Sequence, residues 1–188
     1  MKFSRTKIPE VIVGEPEVYI DARGSFYETF RQQAWEEITG RPLNFLQDNE
    51  STSSYGVLRG LHFQTAPYAQ AKLVRVVMGK ILDVVVDLRK DSATLGQHVK
   101  IELSSENKKQ VFIPKGFAHG FIVLSESATV AYKVDQYYNP DAEEGIRFDD
   151  PILNIDWGLS KNDIQISSRD KQWGGLKEFE TLKNISND

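Results

Sequence analysis

The sequence predicts an all-β fold, a double-sheet β-barrel of jelly-roll type with short helices outside it. Three observations lead there. Short runs rich in Val, Ile, Leu and Phe recur along the chain, Gly, Pro, Asn or Asp turns separate them, and helical periodicity is confined to two brief stretches. The length of 188 residues suits one domain whose core needs no staples. We read residues 1–188 as that single domain, with 183–188 as a frayed terminus.

Taken in order, Phe30, Ala34, Trp35 and Ile38 recur at helical spacing, and Gly40 and Pro42 supply the stop. Gly56 to Gln64 reads as a strand. Lys72 to Leu88 reads as two strands with Gly79-Lys80 as a tight turn between them. Val99, Ile101 and Leu103 alternate with Lys100 and Glu102, the pattern of a half-buried strand. Val111–Ile113, Phe121–Leu124 and Thr129–Val134 follow, parted by Pro114-Lys115-Gly116 and Ser125-Glu126-Ser127. Leu176, Phe179 and Leu182 are spaced to line one face of a C-terminal helix.

Composition excludes several functions. With no cysteine there is no disulfide, thiolate metal site or cysteine nucleophile, which also fits a reducing compartment. A formal net charge of −4 makes a poor general nucleic-acid binder, though a local anion site remains open to it. No apolar run approaches a membrane span, and the first residues lack the apolar stretch of a signal peptide. A soluble, cytoplasmic protein without nucleic-acid or membrane partners is the expectation.

Only three histidines exist, His62, His98 and His119. If the runs flanking Pro67 form a hairpin centred there, Lys72 sits directly across from His62, with Leu58, Val74 and Val76 on the same inward face. A neutral imidazole beside a fixed cation can act as a base next to an oxyanion stabiliser. The plain alternative is a core histidine beside a snorkelling lysine. His119 opens an apolar run and is expected inward, as a packed histidine or a substrate contact, whereas His98 is expected at the surface. Arg23 and Glu28 near the start, and Arg59 beside His62, are candidate anion-site residues. Simple alternation puts Arg59 on the face opposite His62, so a shared ligand requires a bulge or a subunit boundary. Tyr132 and Tyr138 stay on one face if their strand is regular; a phenol can donate a proton, and an aromatic face can stack on a nucleobase.

The spacing Gly56-x5-His62-x-Gln64, followed by Pro114-x-Gly116-x-x-His119, is similar to the two signature segments of the cupin superfamily. Metal-binding cupins carry a second histidine where Gln64 stands and a glutamate shortly after it. Here Thr65, Ala66, Pro67, Tyr68 and Ala69 follow instead, so a metal-free site is expected.

Together with Gln47-Asp48-Asn49-Glu50-Ser51, the stretch His119 through Tyr138-Asn139-Pro140 to Glu143, Asp149-Asp150-Pro151 and Ser167-Ser168-Arg169-Asp170, these segments closely resemble the dTDP-4-dehydrorhamnose 3,5-epimerase family. The resemblance implies roles. His62 matches the base, Asp170 the carboxylate that orients it, Lys72 the group that stabilises an enolate oxygen, and Tyr132 the acid on the opposite sugar face. Tyr138 matches the aromatic that stacks on thymine. Arg23, Glu28, Gln47, Asp48, Asn49, Arg59, His119, Glu143 and Arg169 fall at substrate-binding positions, Arg169 where a lysine is common. The implied reaction inverts C3 and C5 of dTDP-4-dehydro-6-deoxy-D-glucose by proton removal and return beside the 4-keto group. No cofactor is implied, in keeping with the missing Gly-rich dinucleotide fingerprint. A homodimer that exchanges N-terminal strands is also implied, a route for Arg23 and Glu28 to reach the neighbouring site. The alternatives are a mono-epimerase for C3 or C5 alone, a metal-dependent cupin oxygenase, and a silent sugar-nucleotide binding barrel.

Overall fold

A computed structural model describes residues 1–179; Leu182 and the expected frayed end at 183–188 lie outside the described residues. The amino-terminal part holds β1 (Lys2–Arg5), β2 (Ile12–Glu15), β3 (Val18–Asp21), β4 (Gly24–Tyr27) and helix α1 (Gln32–Thr39). The central strands are β5 (Gln47–Ser54), β6 (Val57–Gln64), β7 (Lys72–Met78), β8 (Lys80–Asp87), β9 (His98–Ser104) and β10 (Gln110–Ile113). After them come β11 (Phe117–Val123), β12 (Ser127–Val134), β13 (Glu143–Gly145), β14 (Gln165–Ile166) and the short helix α2 (Leu176–Phe179).

Two sheets face each other. One has the order β1-β2-β10-β7-β12-β5, the other β13-β6-β11-β8-β9, with β14 added to β6 in parallel. This is the expected jelly roll, and its signature is that successive strands from β5 to β8 alternate between the sheets. The predicted turn at Gly79 is therefore a corner. It hands the chain from β7, which pairs with β10 and β12, to β8, which pairs with β9 and β11. Gly79 has φ 78°, and a Cβ there would lie 2.1 Å from the Ser127 carbonyl oxygen. The expected hairpin across Pro67 is likewise overturned: β6 and β7 belong to opposite sheets, and the chain between them turns through a Tyr68 N–H to Thr65 O bond of 2.9 Å. An apolar run that crosses a corner and one that turns back on itself have the same sequence pattern.

Side chains alternate across each strand, so each sheet buries two faces. Between the sheets lie Val74 and Val76 of β7, Val111 and Ile113 of β10, Ile81 and Val85 of β8, and Phe117 and Phe121 of β11. Outside the first sheet, Leu73 and Phe112 pack with Trp35 of α1, whose ring meets Phe3 edge-on at 4.9 Å. The helix ends as predicted at Gly40, whose N–H bonds Glu36 O. Outside the second sheet, Leu61, Val84 and Ile122 are covered by Ile146, Leu153, Trp157 and Leu176 from the carboxy-terminal part. Phe121 and its neighbours fill one part of the interior; polar side chains line the rest. Strands β3 and β4 form a separate hairpin that leaves Tyr19, Ile20 and Phe26 exposed. His98, expected at the surface, is half-buried at the start of β9, where burial first, then Lys7 and Lys100, lowers its pKa.

Candidate active site

A cavity of about 610 Å³ opens between the sheets. The second sheet contributes Arg59 and His62 from β6 and His119 from β11; the first contributes Lys72 from β7, Tyr132 from β12, and Gln47 and Asn49 from β5. Tyr138, Glu143, Arg169 and Asp170 complete the wall. Hence His62 and Lys72 do share an interior, as expected, but they look across the barrel rather than along one hairpin.

Arg59 and His62 face the same cavity because β6 slips register. His62 lies opposite His119 of β11, whereas Arg59 lies opposite Phe121, so one extra residue is absorbed between them. Gly60, with φ 128°, sits at the slip, where a Cβ would come within 2.5 Å of Gly120 Cα. Only a residue without a side chain permits this approach of β6 to β11. The slip sends Leu58 outward, into the apolar layer beyond the second sheet, against the expectation that it shares the face of His62.

His62 Nε2 lies 2.7 Å from Asp170 Oδ1. Asp170 is buried, which on its own would raise its pKa; the bond and charge of His62, and the Gly60 N–H, hold its carboxyl below the ordinary value. An acceptor carboxylate requires the proton on Nε2 and leaves Nδ1 with the lone pair. Trp173 sets its ring edge-on to the imidazole at 6.4 Å. A second pair lies alongside: His119 Nε2 is 2.7 Å from Asp83 Oδ2 of β8.

Lys72 is half-buried, and its Nζ has no hydrogen bond or ion pair among the described residues. Burial pulls its ammonium down to about 8, with Glu143 and Asp83 opposing. Burial likewise pushes the Tyr132 phenol above its ordinary value, against Arg59 and with the help of Glu143 and Tyr138. At the rim, Glu143 accepts a 2.9 Å bond from the Tyr138 hydroxyl and pairs with Arg169. Arg59 donates from Nε to Ser53 Oγ at 3.0 Å, and Gln47 to Asn49 Oδ1 at 2.8 Å.

Three expected binding residues stand apart. Asp48 alternates with Gln47 and Asn49 and so projects to the outer face, paired with Lys133 at 2.9 Å. Arg23 and Glu28 lie in and just after the β3–β4 hairpin, paired with Asp21 and Arg31, and do not line this chain's cavity. Sequence reasoning missed Asp83, although a carboxylate inside the apolar run Ile81 to Val86 was a visible signal. It also missed the work of Gln64, whose amide donates to Tyr68 O (2.6 Å) and Tyr137 O (3.2 Å) and accepts from Asn139 N–H (2.8 Å). The residue at the second metal-histidine position is thus spent on bracing two loop segments, the one after β6 and the one after β12. Among the described residues no three His, Cys, Asp or Glu side chains are grouped as metal ligands.

The sequence model of the dTDP-4-dehydrorhamnose 3,5-epimerase family matches residues 5–178. The chain belongs to this family. The Escherichia coli dTDP-4-dehydrorhamnose 3,5-epimerase is 48% identical over 186 residues, covering 99% of this chain and 100% of its own. The Shigella flexneri enzyme of the same name is 52% identical over 157 residues, 84% of this chain and 87% of its own. The crystal structure of the Legionella pneumophila dTDP-6-deoxy-D-glucose-3,5-epimerase, in complex with dTDP-4-keto-L-rhamnose, superposes with a TM-score of 0.90 at 48% identity. It covers 94% of this chain and 93% of its own. The two imidazole–carboxylate pairs, Lys72 and Tyr132 described above are thus the interior of a barrel that belongs to an epimerase family.

Proposed function

We propose that this cavity inverts C3 and C5 of dTDP-4-dehydro-6-deoxy-D-glucose, giving dTDP-4-dehydro-L-rhamnose for dTDP-L-rhamnose synthesis. One observation carries the assignment of roles: His62 and Tyr132 face a common cavity from opposite sheets, with Lys72 beside them. The 4-keto group acidifies the C–H bonds on both neighbouring carbons. His62 takes one such proton on Nδ1, and the electron pair moves onto the C4 oxygen as an enolate. Lys72 stabilises that charge. Tyr132 returns a proton to the carbon from the other face of the ring, which inverts it; the phenolate then regains a proton from solvent and the His62 imidazolium releases the one it took to solvent. The cycle repeats at the second carbon. An oriented base, an acid and one oxyanion donor each contribute roughly a hundredfold or more.

Asp170 holds the His62 tautomer, Tyr138 offers its ring to thymine, and Arg59, Arg169 and His119 meet the diphosphate and sugar, with Gln47, Asn49 and Glu143 around them. Arg23 and Glu28 act from the partner in a homodimer: the exposed Tyr19, Ile20 and Phe26 of their hairpin support its lying against a second subunit. We place the reaction in the cytoplasm, in keeping with a cysteine-free chain.

Incubation with the 4-keto-6-deoxyglucose nucleotide in heavy water tests this. Deuterium is expected at both C3 and C5 by mass spectrometry, with both centres inverted by NMR. Deuterium at one carbon alone means a mono-epimerase, and none at either overturns the mechanism.

A further inference from the structure

The cycle above uses one imidazole–carboxylate pair, and the cavity contains two. His119 lies directly opposite His62 in the register of β6 and β11, and its carboxylate is Asp83 rather than Asp170. Asp83 is fully buried on the inward face of β8, between Ile81 and Val85 of the apolar interior. Its Oδ1 is buried and has no hydrogen-bond partner among the described residues. A buried oxygen left in this way is costly, and its retention calls for something that offsets the cost. Lys72 has the complementary deficit, a half-buried ammonium that no hydrogen bond or ion pair engages among the described residues.

We propose that Asp83 is a positioning residue of the epimerisation: it orients His119, and it supplies the fixed negative charge that keeps Lys72 an ammonium. The inference rests on the epimerase reading above. The surroundings favour Asp83 for this duty. The charged and titratable groups that share the cavity with Lys72 are His62 and Arg59 on β6, His119 on β11, Tyr132 on β12, Glu143 on β13, and Tyr138 and Arg169 at the rim, with Asp170 behind His62 and Asp83 of β8 behind His119. The neighbours from β10 and β9 are the apolar Val111, Ile113, Val99 and Leu103. Asp170 is bonded to His62, and Glu143 is shared between Arg169 and Tyr138 at the rim. Glu143 has the larger charge effect on Lys72, from the rim; Asp83 is the counter-charge buried within the barrel, it acts with the same sign, and one of its oxygens is left unbonded. Since Lys72 works as a cation, activity is lost as pH rises through its pKa of about 8. Without Asp83 that loss begins at lower pH.

The test is Asp83→Asn, with kcat and KM measured between about pH 6 and pH 9.5 and the Lys72 side chain titrated by NMR of ε-labelled lysine. Lys72→Arg identifies the signal. The expected result is a kcat that falls about tenfold more at pH 8 than at pH 6.5, a KM within about twofold of the unaltered chain, and a Lys72 titration moved to lower pH. An activity loss equal at every pH, or an unmoved Lys72 titration, overturns the proposal. If the Asn variant does not fold, Asp83→Ser is read in the same way. Failure of the epimerase reading shows separately, as absence of deuterium uptake by the unaltered chain.

Discussion

In the proposed mechanism His62 owes its reactivity to what stands behind it: the 2.7 Å bond to Asp170 fixes the ring and its proton, and the free nitrogen then meets the sugar as a base. His62→Ala is expected to abolish deuterium uptake at both C3 and C5. Tyr132→Phe is expected to leave uptake by the His62 face and to suppress inversion by a hundredfold or so, read by NMR of the product. Lys72 adds a pH signature: with its ammonium pulled to about 8 by burial, kcat should decline on the alkaline side through that value. A pH–rate profile flat to pH 9.5 or so would remove Lys72 from the mechanism. Most of these residues were legible in the sequence, because histidines are scarce and the flanking motifs are distinctive. Asp48 was misplaced, since a contiguous motif conceals the alternation that turns every second side chain to the far face. Asp83 stayed hidden because its partner, His119, is 36 residues distant and met only through the pairing of β8 with β11.

At the scale of elements, β6 determines whether the site exists. A regular strand would place Arg59 and His62 on opposite faces; the slip at Gly60 gives the cavity both. Gly60→Ala forces a Cβ against Gly120 and a side chain into an unfavourable φ. A loss of about 2 kcal/mol or more in urea unfolding is expected, with activity falling further than stability explains. A variant of unchanged stability would mean that the slip tolerates a side chain. Alternation along β6 shows that some irregularity is needed if both residues touch one ligand, but register is a property of two strands and cannot be located from one. The strands that are legible in the sequence, β7 to β12, have mostly apolar inner faces, interrupted by single polar side chains such as Lys72 and His119. Strand β5 was unread as a strand because its inner face is Gln47, Asn49, Ser51 and Ser53: a wall built for a polar ligand lacks the apolar alternation that betrays ordinary strands. The hairpin drawn across Pro67 was wrong for a different reason, since nothing local distinguishes a corner between sheets from a reversal within one.

For the whole molecule, the two sheets supply the opposed chemical groups, and the β3–β4 hairpin stands away from both with Arg23 and three exposed apolar side chains. If the hairpin completes a partner's cavity, an Arg23→Ala chain and a His62→Ala chain are each impaired alone. Mixed and allowed to exchange subunits, they should regain up to about a quarter of the activity, because half the dimers are mixed and one of their two sites is then intact. No recovery, with exchange verified by native mass spectrometry, would return Arg23 to an ordinary surface role. The residue pattern alone shows Arg23 as one more exposed arginine; only the family resemblance points to such an exchange, because contacts between two copies leave no periodicity in one chain.

The bond between His62 and Asp170 joins residues 108 positions apart, and the later of them belongs to the segment that also covers the outside of the second sheet. During synthesis, the imidazole therefore emerges long before the carboxylate it is bonded to. On the proposed mechanism, a chain halted short of Asp170 would have His62 without its orienting carboxylate, and the onset of turnover would time the final wrapping of the barrel.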